Sequence, residues 1–419
     1  MHPCWFLVDS HGPPPGEIHV VRGVLMKLGR RARLSVAVAL AVTLPLALLL
    51  QAVLRPPDRT FDAAPEGWTT SSSTDDLVGL LSVLHTTTLP MLLNTTDFAR
   101  VAAYASEAYW ETRYRSPLPD QAKAAFLEVA SVLLVSPAIV DDLPEWDRQQ
   151  VGSAEEVLAR AAADGYSTGH PDPVQLTSTM DLGVEPSRYS WRVSGGFGNE
   201  LERGWGMLTP LAEHTCEVPA PPVANLAQLQ AAAAETNELV QQLSMRPDIG
   251  RIRGLVEAWR SPQQSNPARG WVLIASNAAI DAGLDRRQTD AMLRDLTVAL
   301  HDAQIVAWEA KYRFALASPS DVLEDFRLLA APYNPSYPSE YALAAAVATT
   351  VIDRHAPGVR VRLEIPGTLI SVPTTRVYAN TADARTEAEL VGQILGLDYT
   401  FSVMAGRDLG RCIAEQVMR

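Results

Sequence analysis

Cysteine is scarce in this chain of 419 residues, and the scarcity closes off two classes of scaffold. Only Cys4, Cys216 and Cys412 are present, too few and too irregularly spaced for a disulfide framework or a zinc site. Histidine pairs are missing as well. His170, His214, His301 and His355 have no second histidine four residues away, so no helical metal site is expected. Positive charge is in deficit, with 35 Lys and Arg against 48 Asp and Glu, a net charge of −13 and a pI near 5.1. The basic residues are scattered, so there is no field to gather nucleic acid and no nucleic-acid partner is expected. No repeat of fixed period is visible. The glycine cluster Gly195-Gly196-Phe197-Gly198 has neither a strand before it nor Lys-Ser/Thr after it, which makes it a loop rather than a phosphate cradle. Lysine is the rarest cation, found only at 27, 123 and 311, and the arginine and alanine bias points to a GC-rich, bacterial genome.

Hydrophobic residues, by contrast, make up 47% of the chain, enough for one large core or two ordinary ones. Residues 35–54 form a run of 20 without a charge, long enough at 1.5 Å per residue to cross a hydrocarbon core of about 30 Å. Lys27, Arg30, Arg31 and Arg33 precede it. This asymmetry places residues 1–34 in the cytoplasm, with Met26 a candidate true start, and the remainder outside. The reading is an uncleaved transmembrane anchor, with the lipid bilayer as partner. Secretion after signal cleavage is the alternative, weakened by the length of the run and the lack of a small-x-small cleavage site. Residues 55–75 are rich in Pro, Ser and Thr and read as a linker, leaving 76–419 as one domain. Asn94-Thr95-Thr96 matches a glycosylation sequon and is read as incidental in a bacterial chain. Cys412 shares a helical face with Ala405, Leu409 and Ile413, which gives it the reading of a small buried apolar residue; whether it pairs with Cys216 stays open.

Within the domain, apolar residues recur at three-four spacing over 76–93, 97–113, 120–135, 153–164, 224–245, 248–260, 268–283, 287–313, 341–354, 384–395 and 402–418. Residues 165–223 read as a long loop region. Val359 to Val372 alternates like a short hairpin around Pro366-Gly367. The fold class is therefore all-α, a helical bundle with one small β-hairpin.

Two residues carry candidate chemistry. Leu293, Leu296, Leu300, Ala303 and Ala307 step along one helix face, and Lys311 is the next position on that stripe. A buried ammonium needs an anionic partner or a lowered pKa; snorkelling at a helix end is the bland alternative. Pro338-Ser339 precedes the helix that begins near Tyr341, so Ser339 is a candidate N-cap at a helix start that also offers N–H groups to an anion.

In spacing and local wording, this region resembles the vanadium-dependent haloperoxidases and type-2 phosphatidic acid phosphatases. Their signature has a lysine followed seven positions later by Arg-Pro, a Pro-Ser-Gly-His turn, and Ser-Arg with Gly and His downstream. Here the first part reads Lys311 to Ser318-Pro319, and the second reads Pro338-Ser339-Glu340-Tyr341. The third aligns Val391-Gly392 with Ser-Arg, keeps Gly396 and places Asp398 at the final histidine. The resemblance also runs through VGSAEEVLARAAADGY, RYSWRVSGGFGNELERGWGMLTPLA and AGRDLGRCIAEQV, covering most of 76–419.

The resemblance implies a helical bundle that brings the three motifs to one pocket. It also implies an eroded site. Lysine and two arginines neutralise the family's vanadate or phosphate, one histidine binds vanadium or attacks phosphorus, and the other moves protons. Ser318, Tyr341, Gly392 and Asp398 stand where two arginines and two histidines are expected, leaving Lys311 and Ser339 as residual anion-site positions. At about 1.5–3 kcal/mol per charge-assisted contact, four losses cost on the order of 6–12 kcal/mol, at least four powers of ten in affinity. The expectation is a binding or structural protein without bound vanadate or phosphate, its ligand or protein partner unidentified. Lys311 is expected to pair with Asp398 or Glu340. Two alternatives stand beside this: an active phosphatase or haloperoxidase with Arg313, Arg327 or Arg385 substituting, and a hydrolase in which Lys311 activates Ser339.

Overall fold

In the computed structural model of the chain, the described residues are 76–87, 95–115, 117, 121–134, 152–166, 178–191, 205–244, 256, 259, 267–323, 326, 334–365 and 374–419. All lie in the unit Thr70–Arg419. The expected anchor 35–54, its flanks 1–34 and 55–75, the glycine cluster and most of 248–260 fall outside them. Among the described residues, no helix is long and apolar enough to cross a membrane.

Helices dominate, in the order α1 Leu77–Thr87, α2 Thr95–Trp110, α3 Ala122–Leu134, α4 Gly152–Ala163, α5 Leu226–Ser244, α6 Pro267–Asp281 and α7 Arg286–Phe314. There follow α8 Pro319–Val322, α9 Glu340–His355, α10 Thr381–Ile394 and α11 Thr400–Val417. The periodic windows match these elements to within a few residues. The short α8 has no periodicity to announce it. The hairpin is present but shifted: β1 Val361–Ile365 pairs antiparallel with β2 Thr374–Tyr378, Val361 opposite Tyr378. Its second arm lies beyond Val372 because the alternating TTRVY segment, not the residues after Pro366-Gly367, supplies the partner for VRLEI.

The axis of the domain is α7, whose 29 residues span about 43 Å at 1.5 Å each. Asp285 and Gln288 close its N-terminus reciprocally in a capping box, and Ala315, in the left-handed region at φ 41°, ends it. Nearly every side chain from Met292 to Ala310 is buried, polar ones included, so α7 is packed all round rather than on one stripe. It is enclosed by α2, α6, α9 and α11. α2 is tied to it by charge, Glu107 accepting from Arg294 Nε at 2.7 Å, and the π-helical turn Glu111–Arg115 that follows α2 is tied by the Tyr114 hydroxyl, which donates to Asp290 at 2.6 Å.

The helices α9 and α11 cross at close range, and small residues make it possible. The run Ala342 to Ala348 faces Gly406 and Gly410, where an added Cβ would stand 2.4 Å from the Ser339 carbonyl oxygen and 2.5 Å from that of Leu343.

Cys216 and Cys412 form a disulfide with Cα atoms 6.0 Å apart, correcting the reading of Cys412 as a plain buried apolar residue. Helix periodicity placed Cys412 on the inner face of α11 but could not show that the extended segment after His214 lies against it. Gln416 ties the same segment, its Oε1 accepting from Thr215 N at 3.1 Å.

Candidate functional site

Three segments meet at the C-terminal end of α7: Lys311 on its last turns, the turn 334–339 that starts α9, and the end of α10 with its connection to α11, carrying Gly392 to Asp398. Ser339 caps α9, its Oγ accepting from Ala342 N at 3.3 Å. The turn before it contains a cis Tyr337-Pro338 bond and is pinned by backbone bonds, Ser336 N to Leu316 O at 2.9 Å and Ser339 N to Ser402 O at 3.0 Å. The Tyr337 hydroxyl donates to Pro219 O at 2.8 Å, drawing the extended segment 208–223 against the same corner.

Lys311 is 1% exposed, so the buried reading holds over the snorkelling one. Its partners differ from the expected carboxylates. Nζ donates to the Pro335 carbonyl oxygen at 2.6 Å and to Asn334 Oδ1 at 3.3 Å. Asn334 in turn donates from Nδ2 to Glu340 Oε2 at 2.7 Å. Among the described residues, no ion pair within 4.0 Å joins Lys311 to Asp398 or Glu340. The physical reason is that the Asn-Pro turn supplies acceptors closer to the ammonium than either carboxylate, and its asparagine serves as the relay to Glu340.

Asp398 turns instead to the serine, and the Ser339 hydroxyl donates to its Oδ2 at 2.5 Å. Burial raises the Asp398 carboxyl from its ordinary value to about 6, with Glu340 adding in the same direction and the Ser339 bond and Lys311 charge opposing. Glu340 is itself 6% exposed, and its Oε1 has no hydrogen-bond partner among the described residues.

Gly392 explains how Asp398 fits. A Cβ at 392 would stand 1.9 Å from Asp398 Oδ2 and 2.8 Å from its Cγ. The carboxylate thus fills the space that any side chain at 392 would need. Gly396 is required twice over, by its φ of 75° and by Phe326, whose ring would lie 2.6 Å from an added Cβ.

The remaining predicted positions are drawn elsewhere. Ser318 is fully buried at the start of α8 and donates to Asp321 Oδ2 at 2.8 Å, so it serves the local turn. Tyr341 is buried in the first turn of α9. Arg313 donates to Val218 O at 3.0 Å and lies 3.6 Å from Glu309, while Arg385 sits 3.6 Å from Glu389. Arg327 lies outside the described residues. Lys311 is not bonded to Ser339, whose hydroxyl is committed to Asp398.

No family model matches the sequence, and no curated protein matches it. In three dimensions the chain is similar to the crystal structure of the first bacterial vanadium-dependent iodoperoxidase, with a TM-score of 0.63 at 16% identity over 82% of this chain and 95% of that one. It is also similar to a holo-type bacterial vanadium-dependent chloroperoxidase, with a TM-score of 0.57 at 12% identity over 80% and 94%. The apo-type chloroperoxidase gives a TM-score of 0.55 at 12% identity over 82% and 94%. The chain has the vanadium-dependent haloperoxidase fold. The helical bundle expected from the motif resemblance is present.

Sequence reasoning missed Asn334 and the Pro335 carbonyl. A backbone oxygen carries no residue signature, and an Asn-Pro pair reads only as a turn. It also missed the collision between Asp398 and a side chain at 392, although both positions had been marked. Among the described residues there is no group of three His, Cys, Asp or Glu side chains arranged to hold a metal ion.

Proposed function

We propose that this haloperoxidase-fold protein binds neither vanadate nor phosphate, and serves as a membrane-tethered binding or structural module with residues 76–419 outside the cytoplasm. The observation that carries the first part is the seat of Asp398. Its carboxylate occupies the space an arginine at 392 would have to enter, so the substitutions at 392 and 398 depend on each other. An oxyanion beside Lys311 would meet Asp398 and Glu340 with a single neutralising lysine whose donors already bond to the turn. These residues do not fit vanadate or phosphate, and no catalytic step is derived through either. Arg313 and Arg385 are engaged with other acceptors, which counts against a rebuilt anion site. The tether rests on the uncharged run 35–54 with its basic flank. The Cys216–Cys412 disulfide agrees with an oxidising compartment.

The test uses the full chain in mild detergent. Vanadate titration followed by 51V NMR should show no bound species. Iodide or bromide oxidation with vanadate and peroxide, and hydrolysis of p-nitrophenyl phosphate, should not exceed those of Lys311→Ala. Turnover that Lys311→Ala abolishes would replace this reading with that of an active enzyme. Protease added to spheroplasts should digest the domain, and full protection would refute the topology.

A further inference from the structure

Between one and three turns before Lys311, α7 carries a second set of buried polar groups, the last of which, Trp308, has its ring 5.8 Å from Lys311 Nζ. His301, Gln304 and Trp308 lie on successive turns of one helix face, and none is more than 2% exposed. Four of their atoms have no hydrogen-bond partner among the described residues: His301 Nε2, Gln304 Nε2, Gln304 Oε1 and Trp308 Nε1. Buried polar atoms in folded proteins nearly all have partners, so four orphans in one row point to something that bonds to them.

The surroundings define what that something is. His301 Nδ1 lies 2.7 Å from Asp302 Oδ1, and because a carboxylate only accepts, Nδ1 carries a proton; in the neutral imidazole Nε2 is then an acceptor. Asp302 is satisfied further by the N–H groups of Leu211 and Ala212, both at 2.8 Å. The row therefore presents two acceptors, His301 Nε2 and Gln304 Oε1, and two donors, Gln304 Nε2 and Trp308 Nε1, and the one neighbouring carboxylate, Asp302, is already bonded to His301 Nδ1 and the N–H groups of Leu211 and Ala212. An ion placed there would be unpaired in a dry interior. The walls are aromatic, with the His301 ring 5.7 Å from that of Trp205 and 5.5 Å from that of Tyr104. Trp205 also packs with Trp308 and covers the row, and Gly206 lies so close to α7 that a Cβ would stand 2.6 Å from Glu309 Cα.

We infer that α7 holds a buried binding site for a small uncharged molecule rich in hydroxyl groups, seated under Trp205 against His301, Gln304 and Trp308. The row extends about 10 Å along the helix, further than a single water bridges. The ligand donates to His301 Nε2 and Gln304 Oε1 and accepts from Gln304 Nε2 and Trp308 Nε1. Trp308 packs its ring on the Lys311 ammonium, but His301, Gln304 and the Trp308 Nε1 donor are not part of the Lys311, Ser339 and Asp398 contacts.

The experiment is native mass spectrometry of the full chain, first as purified and then with erythritol, paired with thermal unfolding. The expected result is either a retained uncharged adduct or one-to-one uptake of erythritol, weakened about tenfold or more in Gln304→Met, the worth of about one net hydrogen bond. Trp308→Phe, which keeps a ring and removes one donor, should weaken uptake without loss of folding and serves if Gln304→Met does not fold. Ligand should raise the wild-type melting temperature and leave that of Gln304→Met unmoved. No adduct and no uptake, uptake unchanged in both variants, or a crystal structure with only water on these four atoms would overturn the proposal.

Discussion

Replacing Gly392 with alanine separates two effects that usually travel together. Gly392 lies inside α10, where alanine is favoured over glycine by about 1 kcal/mol. In an open helix the change stabilises. Here the new methyl group would stand 1.9 Å from Asp398 Oδ2, so the carboxylate must move. Its movement breaks the 2.5 Å bond from Ser339, a charge-assisted contact worth about 1.5–3 kcal/mol. The expected balance is a net loss of about 0.5–2 kcal/mol. In an Asp398→Ala background the obstacle is gone, and the same substitution should stabilise by up to about 1 kcal/mol. Urea unfolding of the four proteins in this cycle gives the coupling directly. If Gly392→Ala stabilises the wild type, or if the effect is the same in both backgrounds, Asp398 does not occupy the space over Gly392.

Three further outcomes follow from neighbouring contacts. Because the folded carboxyl of Asp398 is raised to about 6, its stabilising contribution is fully present below its unfolded value near 3.8 and is lost as pH rises through about 6. Asp398→Asn should remove that loss, so the wild type should fall relative to the variant by on the order of 2–3 kcal/mol between pH 4 and 7; parallel urea-unfolding profiles would contradict the burial argument. Replacing both Cys216 and Cys412 with serine should lower stability by about 2–5 kcal/mol, read by calorimetry, and a thiol assay on the denatured unreduced wild type should detect only the single remaining cysteine, Cys4. Gly406→Ala places a methyl group against the Ser339 carbonyl, a backbone atom that cannot step aside, and should cost about 1–3 kcal/mol in denaturant unfolding.

The helices were legible because their apolar residues repeat at helical spacing and their caps are explicit, as Asp285 with Gln288 and Asn380 before Asp383 show. The burial of Lys311 was legible for the same reason, since it ends the stripe that begins at Leu293. Its partner was not. Charge complementarity suggested Asp398, but which acceptor reaches an ammonium depends on how the backbone of residues 334–339 turns. The side-chain pattern is silent on that. The disulfide was hidden in the same way, because Cys216 and Cys412 are separated by 196 residues and only the path of an irregular segment joins them. The polar row on α7 was obscured by its own helix, which buries residues all round and leaves no polar face to mark it.

The altered positions of the Lys311 pocket also constrain one another. Cations gathered in a pocket without a trianion between them repel one another. The residues present bond to one another, Ser339 donating to Asp398, Asn334 to Glu340 and Ser318 to Asp321, with Glu340 Oε1 left without a partner among the described residues. Single steps back toward a cationic pocket are then opposed by contacts already made. An arginine at 392 alone collides with the Asp398 carboxylate, and an arginine at 318 alone removes the hydroxyl that bonds to Asp321. A histidine at 398 alone leaves the Ser339 hydroxyl without its carboxylate while restoring neither arginine. The acid form of the pocket is therefore held by several local bonds at once, and only a concerted set of changes would pass between the two.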